Sequence, residues 1–229
     1  MMEQIENVVA AMTIWSVGWG FFFFFMHKKK IDYVSHFFWT AGYFLFVAII
    51  TCIIFWSYIS KVIQGFVIAP FIVLGIVIMT TVILYICLPK YFQQPEEYFE
   101  KYPNREYLKI DWRRLVSKST DILAQQVFIV LLITFLSDAG LLLHQVIIAF
   151  LILFGLLHIP LITQEHGAWP SWLFGGAVVT FSIIFPLLIL NIHYGFVYTY
   201  IIHWLFYVFV AIGFWIWGVA HENKKSGPV

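Results

Sequence analysis

Residues 66–88 read FVIAPFIVLGIVIMTTVILYICL, a run with no charged side chain. A helix needs about 20 apolar residues, at 1.5 Å each, to cross a hydrocarbon core about 30 Å thick. The run is long enough to span, and far longer than the roughly ten alternating residues of a barrel strand. Read outward from it, the rest of the chain has the same character. Runs of similar kind lie near 7–26, 34–59, 121–137, 142–163, 170–192 and 196–219. The fourth of the seven in chain order, 121–137, is short, and its helix is predicted to begin among Ser117, Ser119 and Thr120 as N-caps. No internal repeat is evident.

The whole chain has 229 residues, 62% apolar and 21% aromatic, with 11% charged and a net charge of +1. An ordinary soluble domain carries about 25% charged residues. So few charges cannot clothe a water-exposed globule, and a net charge near zero gives no field for steering polyanions. The composition excludes a cytosolic enzyme domain, a nucleic-acid binder and a disordered chain. The expected fold is all-α, a single polytopic integral membrane domain over 1–229 with about seven transmembrane helices. The N-terminal run is expected to stay as a span, because no Lys or Arg precedes it and Lys28, Lys29 and Lys30 follow it. Cys52 and Cys87 lie inside apolar runs and fit no metal or disulfide spacing; they read as small buried hydrophobes.

Seven spans put alternate loops on opposite sides. Twelve of the 13 Lys and Arg then share one side, with Lys61 alone on the other. The positive-inside rule predicts an external N-terminus and a cytoplasmic C-terminus. The expected location is the plasma (inner) membrane of a prokaryote. Residues 89–118 form the one sizeable aqueous segment, mixing basic residues with Tyr91, Phe92, Tyr98, Phe99, Tyr102, Tyr107 and Trp112. That mixture predicts a cytoplasmic interfacial loop lying along the headgroups. Trp39, Trp56, Trp169, Trp172 and Trp217 near run ends read as interface anchors.

The 13 basic and 12 acidic residues all fall in loops or at run edges. Polar groups inside the runs are therefore the informative ones. Gln125 and Gln126 lie in the fourth run, His158 in the fifth and His203 in the seventh, with Gln164-Glu165-His166 after the fifth. A polar group in hydrocarbon must find a partner. Phe154 and His158, and likewise His203 and Tyr207, share a helix face at i, i+4. Helix rise puts Gln125 and His158 level, about 10 Å from the cytoplasmic edge, with His203 further away unless the 191–195 turn dips or the last helix tilts. The blandest role for these groups is polar glue between helices.

The order of these elements resembles the CAAX prenyl protease and bacteriocin-processing (CPBP) family of intramembrane proteases, over about residues 119–215. The family pattern is E-E-x-x-x-R on one helix, F-x-x-x-H on the next and H-x-x-x-N on a later one. Phe154 and His158 match the second motif, and His203 the start of the third. Gln125 and Gln126 stand at the glutamates, Val130 at the arginine and Tyr207 at the asparagine. In the family the first glutamate and the histidines are thought to activate water, and the asparagine to stabilise the oxyanion. A carboxamide cannot take a proton from water near neutral pH. The resemblance therefore implies a CPBP-like protein without proteolytic activity. Its expected partners are the lipid bilayer and a hydrophobic or lipid-modified peptide, or a membrane-protein partner, held in an intramembrane cavity.

Two alternatives stay open. One is an active endopeptidase with Glu165 as substitute base, or with zinc on His158, His166 and His203, although no standard zinc spacing is present. The other is a small transporter or a haem-binding membrane protein. No cofactor is expected in the leading reading.

Overall fold

The computed structural model describes residues 2–29, 31, 33–91, 96–101, 108–164 and 168–215. Among them the protein is helical, with no strand. The helices are α1 (Met2–Lys29), α2 (Phe37–Ile54), α3 (Trp56–Val62), α4 (Ala69–Tyr91), α5 (Glu96–Lys101), α6 (Trp112–Asp138), α7 (Leu143–Gln164), α8 (Ala168–Asn191) and α9 (Gly195–Gly213). Six of these, α1, α2, α4, α6, α8 and α9, are long and apolar enough to cross a membrane. The chain is a polytopic helical membrane protein. In α7 the apolar stretch Leu143–Ile159 is shorter.

Two boundaries differ from expectation, each for a local reason. The run 34–59 is not one helix: α2 stops at Ile54, Phe55 leaves helical geometry at φ −106° and ψ 31°, and α3 follows. The fourth run begins earlier than the hydropathy allows. Its N-cap is Asp111, whose Oδ1 accepts the Arg113 backbone N–H at 2.8 Å. Arg113 also returns a two-pronged ion pair to the same carboxylate, at 2.7 and 3.0 Å. Burial pushes the Asp111 carboxyl up, but the Arg113 hydrogen bonds outweigh it and hold the group below its ordinary value. Ser117, Ser119 and Thr120 are thus not caps. They sit inside α6, where Ser117 and Ser119 donate back to the i−4 carbonyls of Arg113 and Leu115, and Thr120 donates to Ser117 O.

Burial separates the helices by role. In α6, 67% of the apolar window is buried, against 11% in α4. The buried residues of α4 include Thr81 and Tyr85, one turn apart, while Ile72, Ile76, Met79, Ile83 and Ile86 are exposed. A helix that is apolar all round with a narrow buried seam suits lipid as its solvent. Trp39, Trp56 and Trp172 are exposed, while the side chains of Trp169 and Trp217 lie outside what is described. Cys52 and Cys87 are free and only half-buried, not core residues as expected.

The chain packs as two compact units. The first comprises Met1–Phe22, Ile49–Val67 and Gln125–Thr199. Its interior is an aromatic cluster in which Trp15 meets Phe128 at 5.3 Å and Phe154 at 6.4 Å. In the same unit the α8–α9 turn is pinned to the α3–α4 connection: Tyr194 donates to Ile63 O at 2.9 Å, and His193 Nε2 to Gly65 O at 2.8 Å.

The second unit comprises Phe23–Ala48, Ile68–Ala124 and Tyr200–Val229. Here the 89–118 segment departs from a simple interfacial loop. Helices α4 and α6 reach into it from both ends, and Phe99, Leu108, Ile110 and Arg114 are buried. Phe99 packs near Phe214 and under the Lys109 ammonium, 5.2 Å from the ring centre. Trp112 and Tyr91 are exposed. Phe92, Tyr102 and Tyr107 lie outside the described residues.

Candidate functional site

The first unit holds five motif positions. Gln125 and Gln126 are both buried on α6. Gln126 Nε2 donates to Thr199 Oγ1. The Thr199 hydroxyl sends its own proton to Phe196 O at 2.9 Å, so it can only accept from the amide. That fixes the carboxamide orientation and leaves Oε1 with no donor among the described residues. Val130 is buried and apolar where the family pattern has arginine.

One helix turn supplies two contacts to His158. Its ring lies 4.1 Å from that of Phe154, and its Nδ1 is 2.7 Å from Phe154 O. A carbonyl can only accept, so Nδ1 carries the proton. Phe154 is itself fixed by stacking on Phe150 at 5.1 Å and is fully buried. The i, i+4 reading of Phe154 and His158 is met.

The second unit holds the other motif pair. His203 is buried on α9, with its ring 5.7 Å from that of Tyr207, as the spacing predicts. Glu165 and His166, the substitute base and a proposed zinc ligand, lie outside the described residues. Among the described residues no three His, Cys, Asp or Glu side chains group as a metal site.

Tyr207 also belongs to a cluster that hydropathy reading passed over. Arg114, Lys118 and Asp121 follow one another at i, i+4 and i+7, on one face of α6. Arg114 is 2% exposed and Asp121 1%. Lys118 Nζ pairs with Asp121 Oδ2 at 2.6 Å and lies 4.0 Å from the centre of the Tyr207 ring. Such a cation–π contact is worth more once desolvated. The Tyr33 hydroxyl donates to the same Asp121 oxygen at 3.2 Å. Arg114 Nη1 donates to Tyr85 Oη at 3.3 Å and to Lys109 O at 3.1 Å. A second tie joins α9 to α6: Trp204 Nε1 donates to Ser119 Oγ at 2.8 Å, and Tyr200 to Ser119 O at 3.2 Å. A small cavity borders the cluster, walled by Arg114, Lys118, Tyr85, Trp204, Tyr207 and Val208 among others. A hydropathy window starts a span where charge ends, so it leaves these three charges in a loop and at a run edge. Their helical spacing was the available signal.

Tyr33 precedes α2, outside the spans. Burial, and then the Asp121 carboxylate, raise its phenol well above the ordinary value. A phenol raised in the folded state favours folding below the unfolded value of about 10, and this is lost as pH rises through the folded value. In an ultraviolet difference titration, Tyr33→Phe is expected to leave the absorbance step near pH 10 unchanged (about the ordinary tyrosine value). A step smaller by one tyrosine would contradict the burial of the hydroxyl.

Compared with known protein families, curated proteins and solved structures, the chain matches none.

Proposed function

We propose that this is a CPBP-like integral membrane protein without proteolytic activity, which holds a hydrophobic or lipid-modified peptide, or a membrane partner, in an intramembrane cavity. One observation carries the reading. At the positions of the two family glutamates stand the carboxamides of Gln125 and Gln126, both buried, the second tied to the Thr199 hydroxyl. A carboxamide orients and hydrogen-bonds, but it accepts no proton from water near neutral pH. Val130, buried and apolar, agrees with it: where no carboxylate stands, no arginine is needed to orient one. The buried Oε1 of Gln126, which has no donor among the described residues, is an acceptor suited to a ligand N–H.

The same proposal takes α7 as a seventh crossing. The basic 89–118 segment and Lys28–Lys30 then face the cytoplasm and the N-terminus lies outside. The proposal also places the protein in the inner membrane of a prokaryote.

The test is cleavage of prenylated and unmodified peptides by the purified protein, together with binding of the same peptides. The expected result is saturable binding of the prenylated peptide without turnover. Turnover that disappears in His158→Ala would overturn the loss of activity, and absence of binding would overturn the ligand class.

A further inference from the structure

Gln126 is 3% exposed, and its Oε1 has no donor among the described residues. Its own helix cannot supply one. The side chains one turn to either side, Ile122, Leu123, Ile129 and Val130, are hydrocarbon. The backbone N–H groups of a helix are committed to the carbonyls one turn back. A buried acceptor is expensive to leave unmet. The donor for this one has to come from a group that enters between the helices.

Thr199 is what makes this atom an acceptor. The hydroxyl has one proton, and Phe196 O takes it at 2.9 Å. Thr199 therefore offers Gln126 a lone pair, and the carboxamide answers with Nε2. A hydroxyl that offered its proton would turn the amide over, consuming Oε1 and leaving the N–H₂ for a ligand. One hydroxyl on α9 thus sets the polarity that Gln126 shows. Both residues belong to the first unit.

Resting on the peptide reading above, we infer that Thr199 is a positioning residue, and that the Gln126 Oε1 it orients accepts one backbone amide N–H of the bound peptide. The contact forms out of water, where a hydrogen bond is electrostatically stronger. It reads the peptide backbone, because a prenyl tail has no donor. It also discriminates an amide from an ester. An ester places an oxygen where the N–H stood, and its lone pairs then face those of Oε1, a repulsive element against the wrong ligand.

The test uses the full-length protein in neutral detergent, a short farnesylated peptide, and its depsipeptides, each with one backbone N–H replaced by an ester oxygen. One depsipeptide is expected to bind about tenfold weaker than the parent, through loss of one hydrogen bond to a buried acceptor. Gln126→Leu and Thr199→Val are each expected to shrink the loss at that position to within about twofold, while Thr199→Ser, which keeps the hydroxyl, preserves it. A merely structural Thr199 would lower Tm in Thr199→Val and leave the discrimination intact, which would overturn the positioning role. If Thr199→Val does not fold, Thr199→Ala takes its place with the same expectation. Depsipeptides that all bind as tightly as the parent, as when water answers Oε1, would overturn the acceptor role and leave the peptide reading standing. A loss that persists in Gln126→Leu would overturn it equally. Failure of the parent peptide to bind would overturn both.

Discussion

Asp121→Ala is expected to destabilise the protein by about 3–5 kcal/mol, the usual cost of removing one partner of a buried ion pair. The carboxylate is 1% exposed and accepts from both Lys118 Nζ and the Tyr33 hydroxyl. Its removal leaves the ammonium among Tyr33, Tyr207 and apolar walls, and takes the acceptor from the phenol. For a chain of this size each kcal/mol moves Tm by about 2–4 °C, so a drop of about 10 °C is expected in a thermal scan in detergent. Asp121→Asn should lose less, because its carbonyl oxygen still accepts from Tyr33. The double variant Lys118→Met, Asp121→Leu separates pairing from packing. A buried pair replaced as a whole by apolar groups is often neutral, so it should recover most of the loss. A double variant as unstable as Asp121→Ala would show that the pair is not the source.

Gly195→Ala should cost about 3 kcal/mol or more, at the upper end for overpacking, because the obstacle is backbone. A Cβ built on Gly195 lies 1.9 Å from Leu188 O and 2.4 Å from Leu188 C. Neither can swing aside as a side-chain end does. The turn has little slack: Tyr194 is already at φ 58°, Ile192 N–H donates to that same Leu188 O at 3.0 Å, and Gly195 N–H donates to Ile192 O at 2.8 Å. The expected readout is loss of the folded monomer peak, or a Tm lower by about 10 °C. Gly176→Ala is the control: no neighbour stands within 4 Å of its Cβ. An exposed mid-helix Gly→Ala change gains up to about 1 kcal/mol. Equal behaviour of the two variants would show that the turn opens freely.

Much of the local structure was written in spacing. The Phe154–His158 and His203–Tyr207 pairs follow from the helix period alone, since i, i+4 side chains meet whatever surrounds them. The long apolar runs place helices for the same reason, because a chain in hydrocarbon must satisfy its backbone internally. Boundaries were less legible. The α6 start depends on Asp111 capping and on charged side chains that helix packing hides, neither of which a hydropathy window registers. The break at Phe55 leaves no Gly or Pro in the sequence to announce it.

By itself the sequence determined the solvent of this protein, its helical class and which residue pairs share a helix face, because these depend on neighbours within one or two turns. What the charges of α6 do follows from long-range packing instead. Arg114, Lys118 and Asp121 look solvated in a linear reading. Arg114 and Asp121 are buried, and Lys118 is largely covered, because Tyr33, Tyr85 and Tyr207, distant in the chain, close over them with hydroxyls and a ring face. A buried ion is tolerated only when such partners arrive together, and which partners arrive is settled by packing between distant segments.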